Sequence, residues 1–298
     1  MLVAVVGDVH GRFFRVEEWI SALEQARGEP VALALVVGDV ETFATPDDHR
    51  RKSTKRNMPA EFAAYATGER TMRVPFVFVG GNNEDFETLE SMPDGGELAP
   101  NVSYLGRAGV KTVAGLRVAY LSGIYAPTRY ERPRLPADRP ETTRQAGYFR
   151  AAEVAQARTV TAADILLIHE WPRGIAGRES AVAQVGARGI RPSHWAQVGN
   201  PYAAALVTTL RPPWVLCGHL HVPHTVSLEW DDGRMTRVAC LDQAARPDGG
   251  LMWMDWQGTT VRAVGWGTSG EVAWRPGEVW DERQSAPRIR VGSWRDKD

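Results

Sequence analysis

Three times in the first 84 residues an unbroken apolar run ends at glycine and turns polar: LVAVVGDVHG at 2–11, VALALVVGDV at 31–40 and VPFVFVGGNNE at 74–84. A strand with one wet face alternates apolar and polar residues. Runs that do not alternate are strands covered on both faces, as in parallel sheets packed between layers. Helices are expected between them. Residues 13–26 place Val16, Ile20 and Leu23 on one side, and 59–66 offers a second helix. This strand and helix order is an α/β layout, in which polar residues just past the strand ends gather at one edge of the sheet.

From 101 the texture changes. NVSYLG, VKTVAG and LRVAYLSG follow closely with glycine turns and predict an antiparallel portion. Residues 124–149 are rich in Pro and Arg and read as a long ordered loop, a kind of segment that is often functional. A helix at 150–158, a strand within ADILLIHEWPRG at 163–174, a helix near 202–210 and a strand in WVLCGHLHV at 214–222 come next. Beyond His224 the runs VSLEW, RVACLD, LMWMDW and VRAVGW again look antiparallel, and Trp230, Trp253, Trp256, Trp266 and Trp274 predict a packed closing sheet. The expected organisation is one domain over 1–267, including the 124–149 loop, followed by a polar, loosely attached extension over 268–298.

With 298 residues, 43% of them hydrophobic, the chain can bury a large core, which excludes a disordered protein. Its 35 Lys and Arg against 36 Asp and Glu give a net charge of -1, so no global field draws it to nucleic acid or an acidic membrane; a local basic patch is not excluded. The two cysteines, Cys217 and Cys240, are too few for a disulfide framework and read as buried small hydrophobes. Met1 to Val6 reads as a core strand and not as a signal peptide. No apolar run reaches the roughly 20 residues that cross a bilayer. A cytoplasmic protein with no membrane partner is expected.

The strand ends carry the chemistry. Asp8 and His10, Asp39, Asn82, His169, then His219 and His221 each stand just after an apolar run. Their nitrogen and oxygen donors suit borderline or hard divalent ions: manganese first, with zinc, iron or cobalt as alternatives. Seven donors with one shared carboxylate make two sites of four ligands, and Asp39 is the expected bridge between cations about 3.5–4 Å apart. The bland alternatives are core histidines, and an Asp8 that caps the following helix.

GDVHG at 7–11, GDV at 38–40, GGNNE at 80–84, the His of LLIHEWPRG and GHLH at 218–221 together resemble the calcineurin-like metallophosphoesterases. The run GGNNEDFETLESMPDGGELAPNVSYLGRAGV, with LSGIY, HEWPRGI, the Asn-Pro-Tyr helix start and RVACLDQA, is closer to the RNA lariat debranching enzymes, over about 1–260. The resemblance implies a four-layer αββα sandwich, two mixed sheets flanked by helices. It implies one metal held by Asp8, His10, Asp39 and His221, and another held by Asp39, Asn82, His169 and His219. The implied reaction is hydrolysis of a phosphodiester, with RNA or another single-stranded nucleic acid as the partner and Asp39, Asn82, Asn83, His169 and His221 in the catalytic group.

Two departures stand out. Debranching relatives often carry cysteine where this chain has Asp8. The family's Gly-Asn-His motif, whose histidine contacts the phosphate and helps the leaving group depart, reads Asn83 here, and an amide has no proton to give near neutral pH. Leaving-group protonation must then come from water, from another residue or not at all, and turnover is expected to be slow unless His194 or His224 reaches the site. Glu84 and Glu170 are expected to orient ligands or water. Substrate contacts are expected from Asn83, Tyr125, Tyr130, Arg132, Tyr148, Arg173 and His224, with the basic stretch at 47–56 as a further backbone contact. Against this stands an arginine-rich loop paired with its own Glu131, Asp138 and Glu141. A phosphomonoesterase, or a binding protein of the same fold with weakened catalysis, is the alternative function.

Overall fold

A computed structural model describes residues 1–53, 57–135, 141–176, 198–276 and 278, and the backbone of 288–290. In chain order its strands are β1 (Leu2–Val6), β2 (Val31–Val36), β3 (Phe76–Phe78), β4 (Gly96–Ala99), β5 (Val102–Tyr104), β6 (Ala108–Val113) and β7 (Leu116–Leu121). They continue as β8 (Ile165–Ile168), β9 (Trp214–Cys217), β10 (His224–Glu229), β11 (Met235–Cys240), β12 (Leu251–Gln257), β13 (Thr260–Trp266) and β14 (Arg288–Arg290). Two sheets form, in the orders β13-β12-β1-β2-β3-β5-β4 and β14-β10-β11-β9-β8-β7-β6. Each has a parallel centre, β1, β2, β3 and β5 in the first and β7, β8, β9 and β11 in the second. Antiparallel neighbours flank both centres.

The apolar runs explain why these sheets stack. Along β1, Leu2, Ala4 and Val6 pack with Phe13, Val16 and Ile20 of the helix Phe13–Arg27, while Val3 and Val5 point the other way. There they meet Ile165, Leu167 and Leu216 of the second sheet. Leu166 and Ile168 of β8 face outward, against Val154 and Ala157 of the helix Ala151–Arg158 and Leu206 of the helix Pro201–Leu210. Alternate residues thus serve two different apolar layers, so every position is apolar and no alternation is visible. Three apolar layers separate four structural ones, which is the expected αββα sandwich of two mixed sheets.

Local signals set the helix ends. Asn200 accepts the amides of Tyr202 and Ala203, and Pro201 follows at the first helical position. Asp8 does not cap the helix that starts at Phe13; Arg12 stands at that position. The antiparallel expectation holds for β6 with β7, β10 with β11 and β12 with β13, but β11 and β12 lie in different sheets. The long loop carries two short helices, Pro127–Tyr130 and Thr143–Ala146. Among the described residues no helix is long and apolar enough to cross a membrane.

Past 268, outside the expected domain, the described residues 269–276 pack against the rest of the chain. Trp274 is 3% exposed, its ring lies edge-on to Trp214 at 5.7 Å, and its backbone bridges Val264. Residues 288–290 add a parallel strand beside β10. Arg27 donates to the Gly270 carbonyl at 3.5 Å and Val272 packs on the apolar layer around β1, contacts that the polar composition does not announce.

Candidate metal centre

The donors leave the parallel centres of both sheets at their carboxyl ends. β1 leads to Asp8 and His10, β2 to Asp39 and β3 to Asn82, while β8 leads to His169 and β9 to His219 and His221. The turns are sharp. His10, Asp39, His219 and His221 have φ of 47°, 48°, 71° and 52°, half of the eight non-glycine residues with positive φ among those described. Backbone bonds stitch these turns together: His10 N–H to the Asp39 carbonyl at 2.7 Å, Gly11 N–H to Val40 at 3.1 Å, and Gly218 N–H to His169 at 2.9 Å. Gly218 and Gly81 lie against the carboxylates of Asp8 and Asp39, where any Cβ would collide with an oxygen.

Asp8, His10, Asp39 and His221 each offer a ligand atom within 4.8 Å of the others. His10 Nε2 is 3.1 Å from His221 Nε2, His221 Nε2 is 2.9 Å from Asp8 Oδ2, and His10 Nε2 is 3.8 Å from Asp39 Oδ2. Ligands about 2.0–2.2 Å from one ion stand roughly 3–3.6 Å apart, so two imidazoles and two carboxylates at these separations fit a divalent cation. The residues present can therefore hold the metal that a site of this kind requires.

Beside it a second group forms around the other Asp39 oxygen. His169 Nε2 is 3.4 Å from Asp39 Oδ1 and 3.3 Å from Asn82 Oδ1, and the His219 ring stands edge-on to His169 at 5.0 Å. His169 Nδ1 lies 2.9 Å from the Val37 carbonyl, which only accepts, so that nitrogen carries a proton and Nε2 is the one that faces the cluster. Asp8, His10, Asp39 and His169 are at most 2% exposed, whereas Asn82, His219 and His221 are half-buried and form the open side.

Burial alone would raise both carboxylate pKa values, but neighbouring groups outweigh it. His169 and His10, with the Asn83 amide, hold Asp39 well below the usual carboxylate range. His169 and a hydrogen bond from His221 hold Asp8 down as well. Burial, with the charge of His169, brings His219 down to about 4. Burial would lower His169, but the charges of Asp39 and Asp8 outweigh it and raise it, so the carboxylates and His219 are ready for a cation while His169 would give up a proton to one.

The surrounding polar groups hold this arrangement. The Asn83 side chain donates to Asp39 Oδ2 at 2.6 Å, and the amides of Asn82 and Asn83 both donate to Oδ1 at 2.7 Å. Glu84, pushed up by burial and by the charge of Asp39, accepts from Val40, Glu41 and Gly81 at 2.9–3.0 Å and ties the β2 and β3 exits together. Glu170, also raised by burial, accepts from the Tyr125 amide at 2.8 Å and from the Asn200 side chain at 3.0 Å. Sequence reasoning missed Glu41, whose Oε1 is 3.0 Å from His10 Nδ1. Its only signal was an acid two residues beyond Asp39.

The residues expected to meet substrate divide. Tyr125 is half-buried and Tyr148 likewise, with the Tyr148 hydroxyl accepting from Arg144 at 3.0 Å, while Arg132 and Arg173 are exposed. Tyr130 is 9% exposed and stacks on Tyr202 at 3.8 Å, so its ring face is already covered. His224 is 5% exposed, stacks on Trp171 at 5.3 Å and puts Nε2 3.1 Å from the Ile175 carbonyl. His194 and Asp138 lie outside the described residues. Arg134 turns inward onto Glu153 at 2.6 Å and Glu141 at 3.2 Å, and Arg150 pairs with Glu141. The basic stretch at 47–56 is a helix over Pro46–Lys52 in which Arg51 pairs with Asp48 and Lys52 with Glu87; residues 54–56 lie outside the described ones.

Comparison with known proteins agrees with this geometry. Residues 1–223 match the family described as calcineurin-like phosphoesterase. The chain is similar to the lariat debranching enzyme of Danio rerio, with 34% identity over 229 residues, 74% of this chain and 40% of that one. The Homo sapiens lariat debranching enzyme is 30% identical over 256 residues, 82% of this chain and 47% of that one. The chain thus spans about half the length of these relatives or less. The structure of TT1561 of Thermus thermophilus superposes with a TM-score of 0.49 and 12% identity, over 89% of this chain and 97% of that one. Since the matched stretch takes in every strand end that brings a donor to the cluster and runs just past His221, the chain belongs to the calcineurin-like phosphoesterase family.

Proposed function

We propose that this chain is a two-metal phosphodiesterase acting on nucleic acid or nucleotide phosphodiesters. The observation that carries the reading is Asp39, whose Oδ2 faces His10 at 3.8 Å while Oδ1 faces His169 at 3.4 Å. One carboxylate therefore borders both donor groups, as a bridge must. Asp8, His10, Asp39 and His221 would hold one ion, and Asp39, Asn82, His169 and His219 the other. Manganese is the proposed metal, with zinc, iron or cobalt fitting the same donors. Such ions, when bound, supply Lewis acidity toward phosphoryl oxygens and lower the pKa of water.

The chain's own residues do the rest. Asn82, His219 and His221 form the open side and admit the phosphodiester there. Asn83 fixes Asp39 and offers no acidic proton, so protonation of a poor leaving group is unassisted from this position. The likeness to lariat debranching enzymes supports RNA, branched or linear, as the partner. Tyr125 and Tyr148 would stack on bases, and Arg132 and Arg173 would contact phosphates. The cytoplasm is the proposed compartment, since two cysteines are too few for a disulfide framework.

The test is hydrolysis of bis-p-nitrophenyl phosphate beside p-nitrophenyl phosphate by metal-stripped protein reloaded separately with Mn, Zn, Fe and Co. Turnover of the diester is expected, followed by cleavage of 2',5'-branched over linear RNA. Activity on the monoester alone would make it a phosphatase. Silence on both with two ions bound would make it a binding protein.

A further inference from the structure

Of the buried carboxylates around the cluster, Glu41 has the least reason to be there on packing grounds. It is 1% exposed, stands in left-handed backbone with φ 63°, and follows the bridge residue Asp39 by two positions. Burying an ionised carboxylate costs several kcal/mol unless partners compensate it. Its partners all point one way. Oε1 is 3.0 Å from His10 Nδ1, Oε2 accepts from the Ser53 hydroxyl at 2.7 Å, and the His49 ring nitrogen Nε2 lies 3.6 Å from Oε2. The Glu41 amide donates to Glu84 at 2.9 Å, which fixes the residue's own backbone.

We infer that Glu41 is a positioning residue for the metal centre and acts through His10. A carboxylate that accepts from Nδ1 keeps the proton on that nitrogen and leaves Nε2 as a lone pair, aimed where His221 Nε2 lies 3.1 Å away. His169 is set in the same manner by the Val37 carbonyl. His10 differs in having a side-chain acceptor, which a substitution can remove, whereas the Val37 carbonyl belongs to the backbone. Ser53 holds the second oxygen, so the carboxylate cannot swing away from His10. The helix Pro46–Lys52, which brings in His49 and ends at Ser53, is in this way tied to a metal ligand. The inference rests on the metal reading of His10 for its consequence, but its first step concerns the imidazole alone.

The experiment compares wild type, Glu41→Gln, Glu41→Ala and Ser53→Ala. Long-range proton–nitrogen spectra of the metal-free protein read the His10 tautomer, and calorimetric titration with Mn reads affinity. Melting in EDTA verifies that each variant is folded. Wild type is expected to hold His10 protonated at Nδ1, with Glu41→Ala mixing the two tautomers and weakening Mn binding by about 10- to 100-fold. Glu41→Gln, close in shape and still able to accept, falls between, and Ser53→Ala moves least in the same direction. A Glu41→Ala protein with wild-type tautomer and wild-type Mn affinity overturns the inference. Wild type that binds no Mn overturns the metal reading instead, and the spectra still decide whether Glu41 sets His10.

Discussion

The two ends of the parallel strands solve opposite problems. At the amino ends each acid meets a base. Arg117 on β7 clasps Asp164, just before β8, through Nη2 at 2.8 Å and through its backbone amide at 2.8 Å. Asp255, in register with Leu2 on the neighbouring strand, takes Arg262 at 2.8 Å, and the amino group of Met1 stands 3.7 Å away. At the carboxyl ends Asp8 and Asp39 meet imidazoles and amides. Asp39 and Asp164 are both held below the usual carboxylate range against burial, one chiefly by His169, the other by Arg117. The direction of a pKa shift therefore does not separate a working acid from a structural one. The partner does: a guanidinium keeps its charge at any working pH, whereas an imidazole can give up its proton and leave the carboxylate's charge for a cation to complete.

The largest expected effect breaks the carboxyl edge alone. Asp39→Asn should lower diester turnover by about a thousandfold or more, because a bridging oxygen anion is lost from both donor groups. A variant retaining a tenth of wild-type kcat/KM would remove Asp39 from its central place. Next comes metal removal. A ligand at a hundred times its Kd adds about 2.7 kcal/mol to the folded state, so reloading Mn after EDTA should raise the melting temperature by several degrees. That rise should vanish in Asp39→Asn and persist in Asp164→Asn.

At the other edge Asp164→Asn should lower melting by only about 2–4 °C at pH 7, since half of Arg117 is exposed and water screens the pair, and kcat/KM should be unchanged. The sign with pH follows from the lowered pKa of Asp164, whose ordinary value is 3.8. Its stabilisation is complete above that value and fades as pH falls through the lower folded one, so the melting gap between wild type and variant should close in acid. A gap that widened in acid would refute the pairing. Smallest of all, Arg262→Ala should shift melting by less than about 2 °C, the arginine being 59% exposed.

Sequence legibility follows the same divide. Apolar runs that end in Gly and a donor revealed the strands, their double burial and the four residues that group as a candidate metal site, because burial on two faces erases alternation and the polar residues follow immediately. What stayed hidden depends on which strand lies beside which. RVACLD and LMWMDW read alike, yet β11 and β12 belong to different sheets. His224 follows His221 by three residues, and the stacking of Trp171 on it, which buries the ring, cannot be read from that spacing. The arginines of 124–149 advertised phosphate binding, while Arg134 and Arg150 are committed to Glu141 and Glu153. Composition counts charges and cannot say which are already answered.

The left-handed turns at His10, Asp39, His219 and His221 set the terms on which this centre can be lost. Glycine occupies such backbone without strain and asparagine with little, while alanine and branched residues do not. Replacement of one of these residues by glycine would delete the donor and leave the turn intact, whereas asparagine would keep an oxygen of the kind Asn82 brings to the cluster. For laboratory knockouts the same logic makes His→Gly a better control than His→Ala, since it removes the donor without also straining the turn that carried it.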